Sequence, residues 1–161
     1  MQKVVTLDES EIGLARMIAS LRTCNNRVAK VQHNVRIPGQ DNFTNDLLGV
    51  CGEMVFAKTF NIYLDLCFHN RSGGHDLVLK GKTIDVKTTA REHGRLVVPL
   101  KKKSSPSDIY ALVTGDLPTF TIRGYATAEK VFSSVIDLGH GDCYGLDQDQ
   151  LTQFNFNGQK S

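Results

Sequence analysis

Two aspartates and a lysine that could bind a divalent cation lie on one short stretch of alternating polar and apolar residues. They are Asp76, Asp85 and Lys87. The alternation predicts two β-strands joined by a two-residue turn at Gly81-Lys82, because glycine adopts a positive φ without steric cost. With that turn, Asp76 lies directly opposite Lys87, and Asp85 lies diagonally beside them on the same face. The spacing therefore predicts a site in which carboxylates and an ammonium group lie within reach of one metal ion.

The apolar residues of the same segment support this pairing. The predicted turn sets Leu79 against Ile84. It also sets Leu77 against Val86, so the apolar faces of the two strands coincide, as they must when one face of a hairpin is buried. An aspartate and a lysine on facing strands are also typical of a surface ion pair, which contributes under ~1 kcal/mol. The metal site is favoured by the matched register together with a glutamate upstream.

That glutamate, Glu53, lies in the middle of a second predicted element. Apolar periodicity predicts a helix from about Asn45 to Phe60, although Gly49 and Gly52 lower its intrinsic propensity. Two glycines inside a helix indicate that another part of the chain packs closely there. Taken alone, Glu53 would be interpreted as a solvated helix carboxylate. Beside the hairpin, it becomes a candidate third ligand for the metal.

The rest of the chain predicts elements that surround these residues. One helix is expected from Thr6 to about Arg22 and a short one from Thr127 to Ser134. Residues 27–42 are polar and basic, which predicts a loop. Further strands are expected at Asn61–Phe68, Leu96–Leu100, Ile109–Thr114 and Phe120–Tyr125. This order of elements predicts an α/β domain with a central mixed sheet flanked by α-helices.

Length and composition favour one domain in a reducing compartment. The chain has 161 residues, which is enough for a single core. The net charge of +2 is too small to establish a nucleic-acid partner. The four cysteines are widely spaced, and no apolar run reaches the ~18 residues of a membrane span. We therefore expect reduced thiols, no membrane partner and a cytoplasmic location.

The site residues match a known pattern of a helical glutamate, a strand aspartate and then Asp-x-Lys. In the settings G-E-M-V-F-A and H-D-L-V-L-K-G-K-T-I-D-V-K-T-T, they resemble the PD-(D/E)XK nuclease superfamily, and most closely its small phage and prokaryotic members. The resemblance covers a core of about residues 45–135 within a single domain of residues 1–161. It implies the restriction-endonuclease-like fold. One departure is that His75 stands at the proline position.

The resemblance also implies an activity and a role for each residue. It implies an endonuclease that hydrolyses DNA with Mg²⁺, for which Mn²⁺ can substitute, in the cytoplasm of a host cell if a phage encodes it. Glu53, Asp76, Asp85 and the carbonyl oxygen of Val86 would hold the metal. Lys87 would orient or activate the attacking water and stabilise developing negative charge. A homodimer would allow two such sites to cut both strands.

Basic residues after the hairpin are candidates for contact with DNA phosphates. They are Arg91, Arg95, Lys101, Lys102 and Lys103. Neutralising phosphates dominates non-specific affinity for DNA, so such a run could hold the substrate. A solvated loop is an equally good interpretation of the same residues.

Two other functional classes fit the same residues. The first is a DNA-binding or assembly protein that keeps the nuclease fold without catalysis. The second is a compact α/β protein whose acidic cluster binds a structural cation. Metal-dependent cleavage of DNA would separate the nuclease from both.

Overall fold

The computed structural model describes residues 2–28, 41–66, 74–139 and 141–156. Most of the predicted loop over residues 27–42 lies outside these ranges, as does the end of the strand predicted at Asn61–Phe68. The part of that strand that is described, residues 61–66, forms no strand. Asn61 instead ends the preceding helix in the left-handed conformation, with φ of 49°.

The described chain contains helices on both sides of a set of strands. The α-helices are α1 (Glu9–Val28), α2 (Asn42–Phe60) and α3 (Ala128–Phe132), and short 3-10 helices cover Leu100–Ser104 and Gln148–Gln150. The strands are β1 (Lys3–Thr6), β2 (Leu77–Leu79), β3 (Lys82–Thr89), β4 (Leu96–Pro99), β5 (Ile109–Asp116), β6 (Thr119–Thr127), β7 (Val135–Asp137) and β8 (Asp142–Leu146). No helix in these ranges is both long and apolar enough to cross a membrane.

Side-chain caps fix where the helices begin. Asp8 accepts a hydrogen bond from the N–H of Glu11, whose carboxylate accepts one from the N–H of Asp8, at 2.9 and 2.8 Å. This reciprocal pair begins α1 later than predicted, and Thr6 belongs to β1 instead. Asp41 caps α2 by accepting from the N–H of Thr44. Thr127, where the short third helix was predicted to begin, caps α3.

The strands form two sheets. The larger sheet has the order β1-β6-β5-β3-β2, in which β3 and β5 are parallel and the other neighbours are antiparallel. The smaller antiparallel sheet has the order β4-β8-β7. Strands β1 and β7 were absent from the sequence prediction. The predicted mixed sheet with flanking helices is confirmed at this level of description.

Strand β5 separates the two halves of the hydrophobic core. Ala111 and Val113 pack with α1, α2 and the hairpin, whereas Tyr110 and Leu112 pack with the smaller sheet and α3. Successive side chains of a strand point to opposite faces, so a strand that is buried on both faces is apolar throughout. The larger sheet therefore lies between the α1–α2 pair on one face and the smaller sheet with α3 on the other.

The hairpin has a different turn from the predicted one. Lys80 and Gly81 form the turn, with φ of 50° and 77°, and Leu79 pairs with Lys82. Leu77 consequently pairs with Ile84, so the predicted turn at Gly81-Lys82 and its pairs were wrong. The observed register differs from the predicted one by two positions, so the same residues still share each face of the hairpin. Asp76, however, is not directly opposite Lys87.

Candidate active site

Strand β3 places the central carboxylate and a lysine on the polar face of the hairpin. Ile84 and Val86 point into the core beside α2, and Asp85 and Lys87 point to the opposite face. β3 is an inner strand: β2 pairs with its first three residues on one side, and β5 pairs with it from Ile84 to Thr89 on the other. The side chain of Asp85 is only 1% exposed. A carboxylate this deep in the protein requires neighbouring cations.

Two lysines supply that positive charge. The Lys87 ammonium lies 2.5 Å from Oδ1 of Asp85, and the Lys102 ammonium lies 2.6 Å from Oδ2. Apart from these two ion pairs, no group in the described part of the chain bonds to the Asp85 carboxylate. Burial favours the neutral form of Lys87, but the carboxylates of Asp85 and Asp76 outweigh it and raise the lysine pKa. Lys87 is therefore a stable cation in this arrangement.

Asp76 joins the site from the residue before β2. Its Oδ2 accepts a hydrogen bond from the backbone N–H of Val86, at 2.8 Å, between the two site residues of β3. Burial, followed by the charges of Glu53 and Asp85, raises the pKa of Asp76 to about 7. Lys87 and the Val86 hydrogen bond act in the opposite direction. The predicted proximity of Asp76 to Asp85 and Lys87 thus exists, although through a backbone bond and a different register.

Glu53 is buried on α2, and with Asp76 and Asp85 it forms a carboxylate cluster. Both of its carboxylate oxygens accept hydrogen bonds from the guanidinium group of Arg22 on α1, at 2.8 and 2.9 Å. Burial opposes the charge on Arg22, but Glu53 outweighs it and raises the arginine pKa, with further contributions from Asp76 and Asp46. Glu53 was predicted as a metal ligand, whereas Arg22 was missed. The only feature of the sequence that pointed to Arg22 was its position on the polar side of the first predicted helix.

Lys102 occupies a different place from the one expected of a DNA contact. It lies in the 3-10 helix Leu100–Ser104, where it is half-buried while Lys101 and Lys103 are exposed. Its ammonium contacts Asp85 and also donates to the carbonyl oxygen of Gly74, which accepts a second bond from Ser107. The structure therefore assigns Lys102 to the carboxylate cluster, while the lysines on either side face solvent.

The two predicted DNA-binding arginines lie on the surface after β3. Arg91 is exposed, and the Arg95 guanidinium forms an ion pair with Asp147 at 3.0 Å. Neither is among the residues that contact the carboxylate cluster in the described structure. With Lys101 and Lys103, they remain candidates for an outer surface that meets phosphate.

The carboxylates offer the oxygen donors that Mg²⁺ or Mn²⁺ requires. Within the described ranges, no group of three or more histidine, cysteine, aspartate or glutamate side chains is placed to hold a metal ion. Mg²⁺ is usually held by one or two carboxylates with substrate phosphate and water, so Asp76 and Asp85 meet the smaller requirement. The Asp85 carboxylate is buried and, among the described residues, accepts no bond other than its lysine contacts, which fits a cation position.

Comparison with known proteins gives a family but no activity. The model of the DUF5843 family, described as a family of unknown function, matches residues 4–152. That range includes all three α-helices, the hairpin and every residue of the cluster described above. No curated protein and no solved structure matches the chain significantly.

Proposed function

We propose that this chain, which belongs to the DUF5843 family of unknown function, is a metal-dependent endonuclease of the PD-(D/E)XK type that hydrolyses phosphodiester bonds in DNA. The observation that carries the proposal is the hydrogen bond that joins Asp76 to β3 between Asp85 and Lys87. The Val86 N–H donates a hydrogen bond of 2.8 Å to the Asp76 carboxylate, and the Lys87 ammonium lies 2.5 Å from Oδ1 of Asp85. Two carboxylates and a protonated lysine on one polar face suit hydrolysis at phosphate.

Asp76 and Asp85 are the residues that would hold the metal ion. Glu53, whose two carboxylate oxygens accept hydrogen bonds from Arg22, would join the ligand set through water, and the Val86 carbonyl oxygen is a further candidate ligand. Mg²⁺, or Mn²⁺ in its place, supplies a bound water of lowered pKa and neutralises charge on the phosphoryl oxygens when it is bound. The raised pKa of Asp76 means that this residue must lose a proton before it binds a cation near neutral pH.

Lys87 would act on the reacting phosphate as a cation. Because its pKa is raised, it is a poor proton acceptor and a good hydrogen-bond donor. From β3 it can orient the attacking water and stabilise negative charge that develops on the phosphoryl oxygens. The restriction-endonuclease-like fold is part of the same proposal. It is supported by the packing of α2, which carries Glu53, on a mixed sheet. The hairpin of that sheet carries the remaining site residues.

Cleavage assays with matched variants test this function. Supercoiled plasmid, linear duplex, single strands and a branched junction would be incubated with Mg²⁺, Mn²⁺ or EDTA. We expect metal-dependent cleavage by the wild type and a loss of about 10²-fold or more in Lys87→Ala, as for removal of one group that stabilises the transition state. Lys80→Ala, in the exposed hairpin turn, is the control. No cleavage by the folded wild type, or equal cleavage by Lys87→Ala, would refute the proposal.

A non-catalytic DNA-binding or assembly protein is the second candidate. The observation in its favour is that two carboxylates of the cluster already have cationic partners, Glu53 in Arg22 and Asp85 in Lys87 and Lys102. A structural network of this kind needs no metal. Salt-sensitive DNA binding by the wild type, without cleavage in Mg²⁺ or Mn²⁺, would favour this candidate.

A further inference from the structure

Three separate segments of the chain meet at the Lys102 ammonium. It lies 2.6 Å from Oδ2 of Asp85 on β3 and also contacts the carbonyl oxygen of Gly74. Gly74 lies two residues before Asp76 and has φ of 69°, and a side chain at this position would meet Ser105, just after the 3-10 helix. Lys102 therefore connects the 3-10 helix to Asp85 and to the backbone two residues before Asp76.

The position of Lys102 conflicts with a metal ion at Asp85. Both oxygens of this buried carboxylate face an ammonium group, Lys87 on one and Lys102 on the other. A divalent cation bound to the same carboxylate would lie a few ångströms from both positive charges, where repulsion is strong away from bulk water. Metal binding at Asp85 is therefore favoured when one of the lysines withdraws.

The elements on which the two lysines lie indicate which one withdraws. Lys87 is two residues from Asp85 on an inner strand, and its register partner on β5 is Leu112. Lys102 lies on a 3-10 helix of five residues that has no side-chain cap at its N-terminus. Its side chain can turn towards solvent beside Lys101 and Lys103, which are already exposed. Withdrawal of Lys102 thus leaves the sheet unchanged.

We propose that Lys102 is a positioning residue that occupies the cation position at Asp85 in the metal-free protein and is displaced when a divalent cation binds. The proposal rests on the proposed function for the identity of the ion. In the metal-free state, Lys102 compensates the charge of Asp85 and fixes the segment before Asp76. After displacement, its ammonium lies next to the exposed lysines, where it can contact a DNA phosphate.

Chemical labelling of the wild-type protein tests the displacement directly. Brief reductive methylation, with and without Mg²⁺ and in the absence of DNA, would be followed by mass spectrometry of each lysine. Methylation requires a deprotonated, accessible amine, so the ion-paired Lys102 should react slowly without metal. We expect Mg²⁺ to increase its rate by about fivefold or more, in the usual range of coupling between competing ligands. Lys101 and Lys103 provide internal controls and should keep their rates.

Direct measurement of metal affinity provides a second test. Mn²⁺ binding would be measured by calorimetry without DNA for the wild type, Lys102→Met, Lys101→Met and Lys103→Met. Lys102→Met keeps the length of the side chain and removes the competing charge, so we expect it to bind Mn²⁺ about tenfold more tightly. The variants of the two exposed lysines should bind within about twofold of the wild type.

The outcomes separate this inference from the proposed function. If the wild type binds metal but Mg²⁺ leaves the labelling of Lys102 unchanged, or increases that of Lys87 instead, the displacement is wrong and the nuclease proposal stands. If Lys102→Met binds Mn²⁺ no more tightly than the wild type, the displacement is likewise wrong and the nuclease proposal stands. If the wild type binds neither ion without DNA, the displacement is wrong, and the cleavage assay alone decides the nuclease proposal. Because labelling uses the wild type, the test holds even if Lys102→Met does not fold.

Discussion

The Arg22 guanidinium on α1 donates one hydrogen bond to each carboxylate oxygen of Glu53 on α2, at 2.8 and 2.9 Å. Both side chains are largely buried, with 17% and 8% of their surfaces exposed. A paired geometry of this kind is stronger than a single contact, and water screens it little. The bond joins the two helices at the point where Glu53 approaches Asp76.

Removing the arginine should therefore destabilise the fold. We expect Arg22→Leu to lower the free energy of unfolding by about 3 kcal/mol, because a buried glutamate loses its bidentate partner. Urea denaturation followed by circular dichroism measures the change. Arg16→Leu, at an exposed position of the same helix, should cost less than about 0.5 kcal/mol. Equal costs for the two variants would show that the ion pair contributes little to stability.

The raised pKa of Asp76 predicts a specific dependence of stability on pH. This pKa is about 7 in the folded protein, against an ordinary value of 3.8. Between these values the folded state binds more protons than the unfolded state, so the contribution of Asp76 to the free energy of unfolding falls as pH rises. Asp76→Asn should remove this fall. Urea denaturation in EDTA at several pH values from 4 to 8, within and just above that window, measures it.

The exposed Asp149 provides a matched control for this comparison. Asp149→Asn, in the 3-10 helix Gln148–Gln150, should keep the pH dependence of the wild type. The comparison isolates one carboxylate, because each variant replaces a single aspartate by its neutral amide. An unchanged slope in Asp76→Asn would mean that this carboxylate has an ordinary pKa and that the cluster does not force it towards the neutral form.

The sequence predicted the faces of the hairpin better than its register. The alternation of β3 identifies Ile84 and Val86 as core residues and Asp85 and Lys87 as site residues, because a strand has a period of two. The turn was misplaced because Lys80 adopts φ of 50°, which a lysine side chain gives no reason to expect. Short strands such as β1 were missed because their stability comes from pairing with a distant strand, here β6.

The same division applies to the site. Asp76, Asp85 and Lys87 could be found from local spacing, since one hairpin carries all three. Arg22 and Lys102 contact this cluster from other elements, and only the packing of α1 and of the 3-10 helix Leu100–Ser104 brings them there. Residue type gave no means of distinguishing Lys102 from the exposed lysines on either side of it.

A metal ion that binds the folded cluster should also stabilise it. At tenfold excess over its dissociation constant, Mg²⁺ should add about 1.4 kcal/mol to the free energy of unfolding. For a chain of this length, that corresponds to an increase in Tm of about 4 °C. Asp85→Asn should abolish the increase, because it removes the buried carboxylate between the two lysines. Differential scanning calorimetry at matched ionic strength would detect it.

The control for the metal effect is again Asp149→Asn, which should show the full increase in Tm. A protein in which Mg²⁺ raises the Tm of wild type and Asp85→Asn equally binds the ion elsewhere. No increase in the wild type at millimolar Mg²⁺ would favour the structural interpretation, in which the cluster is a network of ion pairs.

Two glycines of α2 give a matched test of how closely the helix that carries Glu53 packs on β3. A Cβ at Gly52 would lie 1.9 Å from Oγ1 and 3.0 Å from Cβ of Thr88, whereas one at Gly49 would meet nothing within 4 Å. Gly52→Ala should therefore lower the free energy of unfolding by about 1–3 kcal/mol, the usual cost of overpacking. Gly49→Ala should raise it by about 0.5–1 kcal/mol, because alanine favours a helix. Urea denaturation measures both changes, and an increase in the free energy of unfolding for both variants would show that α2 lies farther from β3 than the structure places it.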